Sequence, residues 1–434
     1  MKYYCIGIKG AGMSTLANIL FDLGNEVSGY DDTIKYKFTE EGLNNRGIKI
    51  FHEPHEIDKD TIVTYSKAFS NDHPEIKRIK DLGLTTRDYN QVVGDVTAMF
   101  ETIGVSGTHG KTTTSLLISD ILKNTVGCNY FVGDGTGYAD KKNKLFVIES
   151  DEFNKHFLAY HPTVAIITNI ELDHTECYPG GIDEIKDTFR KFGNKSELIV
   201  ACGDDANIRD IKFDKKVIYY GFNDNNNVIA KNIKLTSQGA QFDVYIDGVL
   251  FDSYQLPLFG KHMILNALSA IIVANRYNIN KSEIKKYISN FQGAKRRFRE
   301  EDINGYIIID DYAHHPTEIA VTIDAARQKY PDREVVAVFL PNTYSRTEAL
   351  MDEFADALSK ADKSYIMDIY CDRERQSDYP NVNSDTLINK VQKAEKISID
   401  TVDKLLKHKN AVICFMSCTN IYILLDEFKK KITC

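Results

Sequence analysis

Gly104-Val-Ser-Gly-Thr-His-Gly-Lys-Thr-Thr-Thr114 is the stretch that decides the fold of this chain. Thr102–Val105, which runs into it, reads as a strand, and Thr112–Lys123 beyond it has helical spacing. Glycines let the backbone curl so that successive N–H groups face phosphate oxygens, and the helix N-terminus adds positive potential. Lys111 can reach the β- and γ-phosphates, and the Thr112 hydroxyl can ligate Mg2+. The spacing is Gly-x-x-Gly-x-x-Gly-Lys-Thr, because Val105 stands where the strict Gly-x4-Gly-Lys form needs its first glycine. A turn that only joined strand to helix would have no use for the lysine and threonines. The stretch therefore predicts a site for ATP or another nucleotide.

A second glycine turn lies upstream, Gly7-Ile-Lys-Gly10-Ala11-Gly12-Met13-Ser14, again between a strand (3–8) and a helix (14–23). Its order, Gly-x-x-Gly-x-Gly, is not the dinucleotide fingerprint, but Asp31 follows about 20 residues on and the setting suits a diphosphate. Close strand–helix packing alone would also ask for such glycines. Two phosphate-type turns in successive blocks imply two phosphorylated ligands. A dehydrogenase needs one such turn, whereas a ligase that spends ATP on a nucleotide-linked substrate needs both.

Strands and helices alternate outward from these turns. Strands are expected at 26–30, 61–65, 145–149, 163–169, 198–201, 217–221, 306–310, 334–339, 363–369 and 411–416. Helices are expected at 74–82, 266–277, 282–290, 316–329, 346–360 and 384–393. This βαβ alternation predicts an α/β fold with parallel sheets. Residues 228–254 alternate instead, as antiparallel strands at a sheet edge do, and Asn223–Asn227 reads as a surface turn. At about 150 residues per domain, the 434 residues make about three: 1–97, 98–293 and 294–434.

Composition excludes several classes. Hydrophobic residues make up 43% and charged residues 27%, which argues against long disorder, collagen-like repeats and coiled coil. The net charge of −8 gives no general pull toward nucleic acid or anionic membrane. No apolar run is long enough to span a bilayer, and the first residues lack the charged and apolar regions of a secretion signal. The eight cysteines, Cys434 among them, are scattered without a Cys-x-x-Cys pair, so they read as reduced residues of a cytoplasmic protein. The Lys429–Lys431 cluster reads as a solvated helix end.

Further motifs sit at expected strand ends. Glu149 in Val147-Ile-Glu-Ser-Asp-Glu152 could ligate Mg2+ or help cap the next segment. In Thr168-Asn-Ile-Glu-Leu-Asp-His174, Asp173 and His174 could hold a second divalent ion, orient a substrate, or simply pair at the surface. His262 and Asn266 share a helix face, which suits a base or ribose, although His262 could merely cap the helix. Lys295-Arg296-Arg297 at a domain junction can clamp a γ-phosphate or stay a solvated charge run. In Asp310-Asp-Tyr312-Ala-His314-His315-Pro-Thr-Glu318 the adjacent histidines point apart, which disfavours a shared metal. Arg346, at the end of Pro341-Asn-Thr-Tyr-Ser-Arg346, could bind a carboxylate bidentately.

Taken together, these motifs resemble the Mur ligases from the first strand to near the C-terminus. The first glycine turn resembles the family's uridine-diphosphate loop, and Gly107-Thr108-His109-Gly110-Lys111-Thr112-Thr113 its ATP loop. His109, where other branches usually carry asparagine, points to the alanine-adding branch. The runs Gly133-Asp-Gly-Thr-Gly, His156-Phe-Leu, Thr168-Asn-Ile, Arg296-Arg-Phe and Thr343-Tyr-Ser-Arg-Thr match as well. The resemblance implies a Rossmann-like N-terminal domain, a P-loop-type central ATPase domain and a Rossmann-like C-terminal domain. It implies a cytoplasmic enzyme of peptidoglycan precursor synthesis. ATP would phosphorylate the lactyl carboxylate of UDP-N-acetylmuramate, and L-alanine would attack the acyl phosphate. Neither nucleic acid nor membrane would be a partner, and the chain would act as a monomer or homodimer.

Carried over by position, Gly7, Gly10, Ala11, Gly12, Met13, Ser14 and Asp31 would bind the UDP-sugar. Residues 107–113, His262, Asn266, Asp310 or Asp311, and Arg297 would bind ATP. Lys111 would hold the transferring phosphate, Thr112 and Glu149 one Mg2+, and His174 a second. Tyr312, His314, His315 and Arg346 would line the amino-acid region. The sequence departs from the family pattern at Asn342 (usually histidine), Met263 (commonly asparagine) and Met416–Asn420 (a glycine-rich turn). Two alternatives stand beside this reading: a recycling ligase that adds a whole tripeptide, and a silent nucleotide-binding regulator.

Overall fold

The computed structural model describes residues 1–371 and 374–433. The chain builds three sheets. The first is wholly parallel, in the order Lys49–Phe51, Glu26–Tyr30, Lys2–Ile6, Thr61–Tyr65, Thr85–Asp88. Strand order reverses on either side of Lys2–Ile6, so the first glycine turn leaves the sheet at the switch point where parallel α/β sheets bind ligands.

The second sheet has ten strands, with Glu101–Ser106 between Val164–Ile167 and Leu145–Glu149, both parallel to it. The ATP-type loop, the acidic stretch 149–152 and the stretch 168–174 therefore emerge side by side at one sheet edge. The alternating segment forms three antiparallel strands, Val228–Thr236, Gly239–Ile246 and Val249–Leu256, which close the far edge as expected. The third sheet has six strands, parallel except for its edge strand Arg299–Ile303.

The buried runs explain the parallel pairing. Val164–Ile167 is buried at every position, as a strand covered on both faces must be. One hydrophobic core runs without a break from Tyr3 and Cys5 of the first sheet to Phe291 behind the second. The third sheet has a core on each face, with Ile307 and Ile309 on one side and Ile308 on the other, following the two-residue period of a strand.

Some elements differ from the expectations. The helix expected over 346–360 is two, Tyr344–Ala349 and Met351–Leu358, because Leu350 leaves helical geometry at φ −123° and ψ 28°. The helix expected over 384–393 ends at Ile388. Helix Gly181–Asn194 was not anticipated, although Ile185, Phe189 and Phe192 give it one apolar face. Lys429–Lys431 does end a helix, and each lysine pairs with an acid: Glu301, Glu427 and Asp403. Cys5, Cys128, Cys202 and Cys414 are buried free thiols, whereas Cys434 lies outside the described residues.

The second and third sheets' units are joined by Gln328, on helix Pro316–Lys329. Its amide donates to the Thr236 and Gly239 carbonyls at 3.0 and 3.1 Å, and its oxygen accepts from the Gly260 N–H at 2.8 Å. Among the described residues no helix is long and apolar enough to cross a membrane.

Candidate active site

The ATP-type loop is braced by the neighbouring strand end. The Thr168 hydroxyl and Asn169 amide donate to the His109 carbonyl at 2.6 and 3.0 Å, and the His109 N–H donates back to Asn169 Oδ1 at 2.8 Å. Thr108 accepts the Glu171 N–H at 2.9 Å, so it too serves the brace. Gly107 has φ +136°, and a Cβ there would lie 2.0 Å from Thr168 Oγ1. Gly107→Ala must push the loop off its brace. It is expected to cost about 1–3 kcal/mol of stability and to weaken nucleotide binding, read by thermal melting with and without ATP.

Lys111 opens helix Lys111–Lys123. Its ammonium donates to the Gly107 and Thr108 carbonyls at 2.6 and 3.2 Å and to both Glu152 oxygens at 2.9 and 2.8 Å. Burial disfavours this charge, but Glu152, Asp151 and Glu149 outweigh it and hold the pKa above the ordinary lysine value. The Thr112 hydroxyl donates to Glu149 Oε1 at 3.0 Å, and the Gly133 N–H donates to Glu149 Oε2 at 2.7 Å. Burial raises the Glu149 carboxyl above its usual range. A hydroxyl and a carboxylate side by side at a helix start, in an excess of buried acid, form an oxygen donor set suited to Mg2+.

His174 sits apart from this pair, with φ +52° and its ring edge-on to Phe153. Burial disfavours its charge, but Glu176, Asp173, Glu152 and Asp151 raise its pKa.

Three cavities surround the loop. The first, of about 800 Å3, is lined by Gly10–Met13 and Tyr65–Ala68 on the first sheet's side and by Gly133, Glu149, Asp151 and His156 on the second's. The rest of the first turn supports it from behind. Gly7 takes φ +79° against the Phe69 ring, and the Ser14 hydroxyl donates to the Ala11 carbonyl at 3.0 Å. Asp31, expected to contact the UDP-sugar, instead accepts the Lys9 and Thr33 N–H groups at 2.9 and 3.0 Å. Buried on its own loop, it braces the turn and is not on the cavity wall. Lys67, among the described residues the one lysine or arginine lining this cavity, was missed, because a lone lysine on a loop carries no motif.

The second cavity, of about 300 Å3, is lined by His109, Gly110, Thr112, Thr113, His262, Asn266, Arg297 and Asp311. Burial, then Arg297, pushes His262 down to about 4, so it is a neutral imidazole. Among the described residues its buried Nδ1 has no partner. The Asn266 amide nitrogen meets the Met263 sulfur, at 3.8 Å. Arg297 pairs with Glu318 at 3.2 Å.

The choice between Asp310 and Asp311 is corrected here. Successive strand residues face opposite sides, and Asp310 turns away to accept the Tyr422 hydroxyl at 2.9 Å. Asp311 reaches the cavity and accepts the Phe298 and Ala313 N–H groups at 2.7 and 2.8 Å. Burial pushes its carboxyl up to about 6 against these bonds and Arg297.

The third cavity, of about 820 Å3, holds Tyr312, His314, Arg346, Asp173, His174, Asn342 and Cys418. Arg346 clamps Asp173 through Nε and Nη2 at 3.1 and 3.0 Å, and both side chains are nearly buried. His315 is not in this group. It turns toward Glu171, 3.5 Å away, and His109. Asp151, Phe153 and Asn154 line both this cavity and the first, so the two meet at the acidic strand end beside Lys111.

Comparisons with known proteins agree along the whole chain. Residues 2–101 match the Mur ligase family catalytic domain, residues 105–274 the Mur ligase middle domain, and residues 296–416 the Mur ligase glutamate ligase domain. The UDP-N-acetylmuramate–L-alanine ligase of Limosilactobacillus reuteri is 42% identical over 99% of this chain and 98% of its own. That of Ligilactobacillus salivarius is 43% identical over 96% and 94%. Among solved structures, the UDP-N-acetylmuramate-alanine ligase of Thermotoga maritima is 25% identical, covers 99% of each chain and has a TM-score of 0.80. The murein peptide ligase of Psychrobacter arcticus shares the fold at 23% identity and a TM-score of 0.69, over 100% of this chain and 99% of its own.

Proposed function

The chain belongs to the Mur ligase family, and from that premise we infer how its residues divide the work. It is an ATP-dependent ligase that joins L-alanine to UDP-N-acetylmuramate in peptidoglycan precursor synthesis. The observation that carries the assignment of residues is the meeting of the first and third cavities at Asp151, beside Lys111 and Glu149.

Residues 1–97 hold the nucleotide sugar, residues 98–293 hold ATP, and residues 294–434 hold the amino acid. The lactyl carboxylate lies where the two cavities meet. A carboxylate is a poor electrophile, and phosphorylation gives it a leaving group. Lys111 turns from Glu152 to the γ-phosphoryl group and neutralises the charge that develops on it. Thr112 and Glu149 hold Mg2+, and His174, once neutral, helps hold a second ion. Bound Mg2+ supplies positive charge to the phosphate oxygens. Arg297 exchanges Glu318 for the phosphate chain, while His262, Asn266 and Asp311 face adenosine. Tyr312, His314 and Arg346 position the alanine, whose amine attacks the acyl carbon, and phosphate departs from the tetrahedral intermediate. The protein works in the cytoplasm.

The test is phosphate release from ATP and Mg2+ with UDP-N-acetylmuramate and each amino acid singly. Release that requires both the nucleotide sugar and L-alanine is expected. Release supported only by a tripeptide would make the chain a recycling ligase instead, and ATP binding without turnover would make it a silent regulator.

Lys67 gives a second check. It faces the diphosphate of the nucleotide sugar, and one charge-assisted contact contributes about 1.5–3 kcal/mol. Lys67→Ala should raise KM for UDP-N-acetylmuramate by about tenfold or more and leave KM for ATP unchanged.

A further inference from the structure

We propose that His109, Glu171 and His315 form a site for a zinc-type transition-metal ion, separate from the oxygen donors at Thr112 and Glu149. The three side chains each offer a ligand atom, and those atoms all lie within 4.8 Å of one another. Glu171 Oε2 is 3.5 Å from His109 Nε2 and 3.5 Å from His315 Nδ1. Tetrahedral zinc with bonds near 2.0–2.1 Å sets its donors about 3.3 Å apart. Both Glu171 pairs are thus close to that spacing, and the two histidine nitrogens, no more than 4.8 Å apart, close in on the ion.

Three further observations point to an ion. His109 Nε2, which faces Glu171, is buried and among the described residues has no hydrogen-bond partner, and His315, only 4% exposed, meets the Thr317 N–H at no closer than 3.4 Å through the Nδ1 that faces Glu171. Buried polar atoms are rarely left unpaired. His109 also presents its other nitrogen, Nδ1, to Glu318 Oε1 at 3.3 Å. A carboxylate behind a ligating histidine is the usual way such a ring is oriented and its free nitrogen made more basic. The Glu171 carboxylate is itself held by the Thr317 hydroxyl at 2.6 Å. Two imidazoles and one carboxylate, with a fourth position open, select zinc, cobalt or nickel over magnesium.

His109 and Glu171 belong to the second sheet's unit, and His315 to the third's. A bound ion ties the two together beside the second cavity, whose wall His109 and Glu171 line.

The test uses the full chain without nucleotide or substrate, so its failure would leave the ligase reading untouched. Co2+ is titrated in excess Mg2+, which occupies the oxygen site. Visible bands of low-coordinate Co2+ should saturate at a single equivalent, and Zn2+ should displace them. His315→Gln and Glu171→Gln should each weaken Co2+ binding at least tenfold, with melting curves establishing that both variants fold. His174→Ala should leave binding unchanged. Absence of bands with no retained Zn2+, unaltered binding in a folded His315→Gln or Glu171→Gln variant, or loss of binding in His174→Ala would each overturn the proposal.

Discussion

Lys111→Ala is expected to cut alanine-dependent phosphate release by at least about 10^3-fold, the scale for removing a group that meets charge developing in the transition state. Lys111 is the cation at the acidic strand end where the cavities meet, bonded to Glu152 and two loop carbonyls. Those bonds also make it structural. The alanine variant leaves Glu152 buried beside Asp151 and Glu149 without its countercharge, so its stability should fall as well. The two effects separate cleanly. Lys111→Arg keeps the charge and should recover most of the melting temperature, yet its longer, planar head cannot reproduce a point charge on the phosphoryl group. Its phosphate release should stay low. If Lys111→Ala retained a tenth of normal release, the role assigned to this lysine would be wrong.

Arg346→Ala is the second large effect. Arg346 donates through Nε and Nη2 to one oxygen of Asp173, Oδ1, with side chains 12% and 10% exposed. Removing one partner of a buried pair leaves an uncompensated charge and costs about 3–5 kcal/mol. Burial alone would raise the Asp173 carboxyl, yet Arg346 holds it well below the usual carboxylate range. Denaturant unfolding of Arg346→Ala should show the full loss. Arg346→Met with Asp173→Leu should return much of it, because no charge is then stranded. Neither variant should use alanine well, since on the proposed reading the guanidinium also faces the substrate's carboxylate. A single-variant loss below about 1 kcal/mol, the range of an exposed pair, would refute the clamp.

The sequence was most legible where local chemistry dictates structure. A lysine and threonines after spaced glycines have few uses, and strands such as Val164–Ile167 are buried at every position. Helix Gly181–Asn194 was also legible in principle from Ile185, Phe189 and Phe192, but it follows two loops and has no side-chain cap to announce it. The break at Leu350 has no local signal, since the residues around it are good helix formers, and tertiary packing overrides their propensity. At the site, the face of a strand chose Asp311 over Asp310. No spacing rule could foresee that Asp31 would be spent on its own loop, or that His315 would leave its neighbour His314 to meet His109. Such pairings join residues far apart in sequence, and only the assembled sheets bring them together.

Gln328 bears on how the molecule moves. One amide holds a hairpin's two carbonyls and a helix-capping glycine at the same time. Rotation between the two bodies strains these bonds together with the Arg346–Asp173 pair and the Thr317–Glu171 bond that span the same two units. The contact should behave as a detent, engaged or released, with few stable positions between. Substrate entry would then be governed by the frequency of a discrete click and not by a gradual breathing of the cleft.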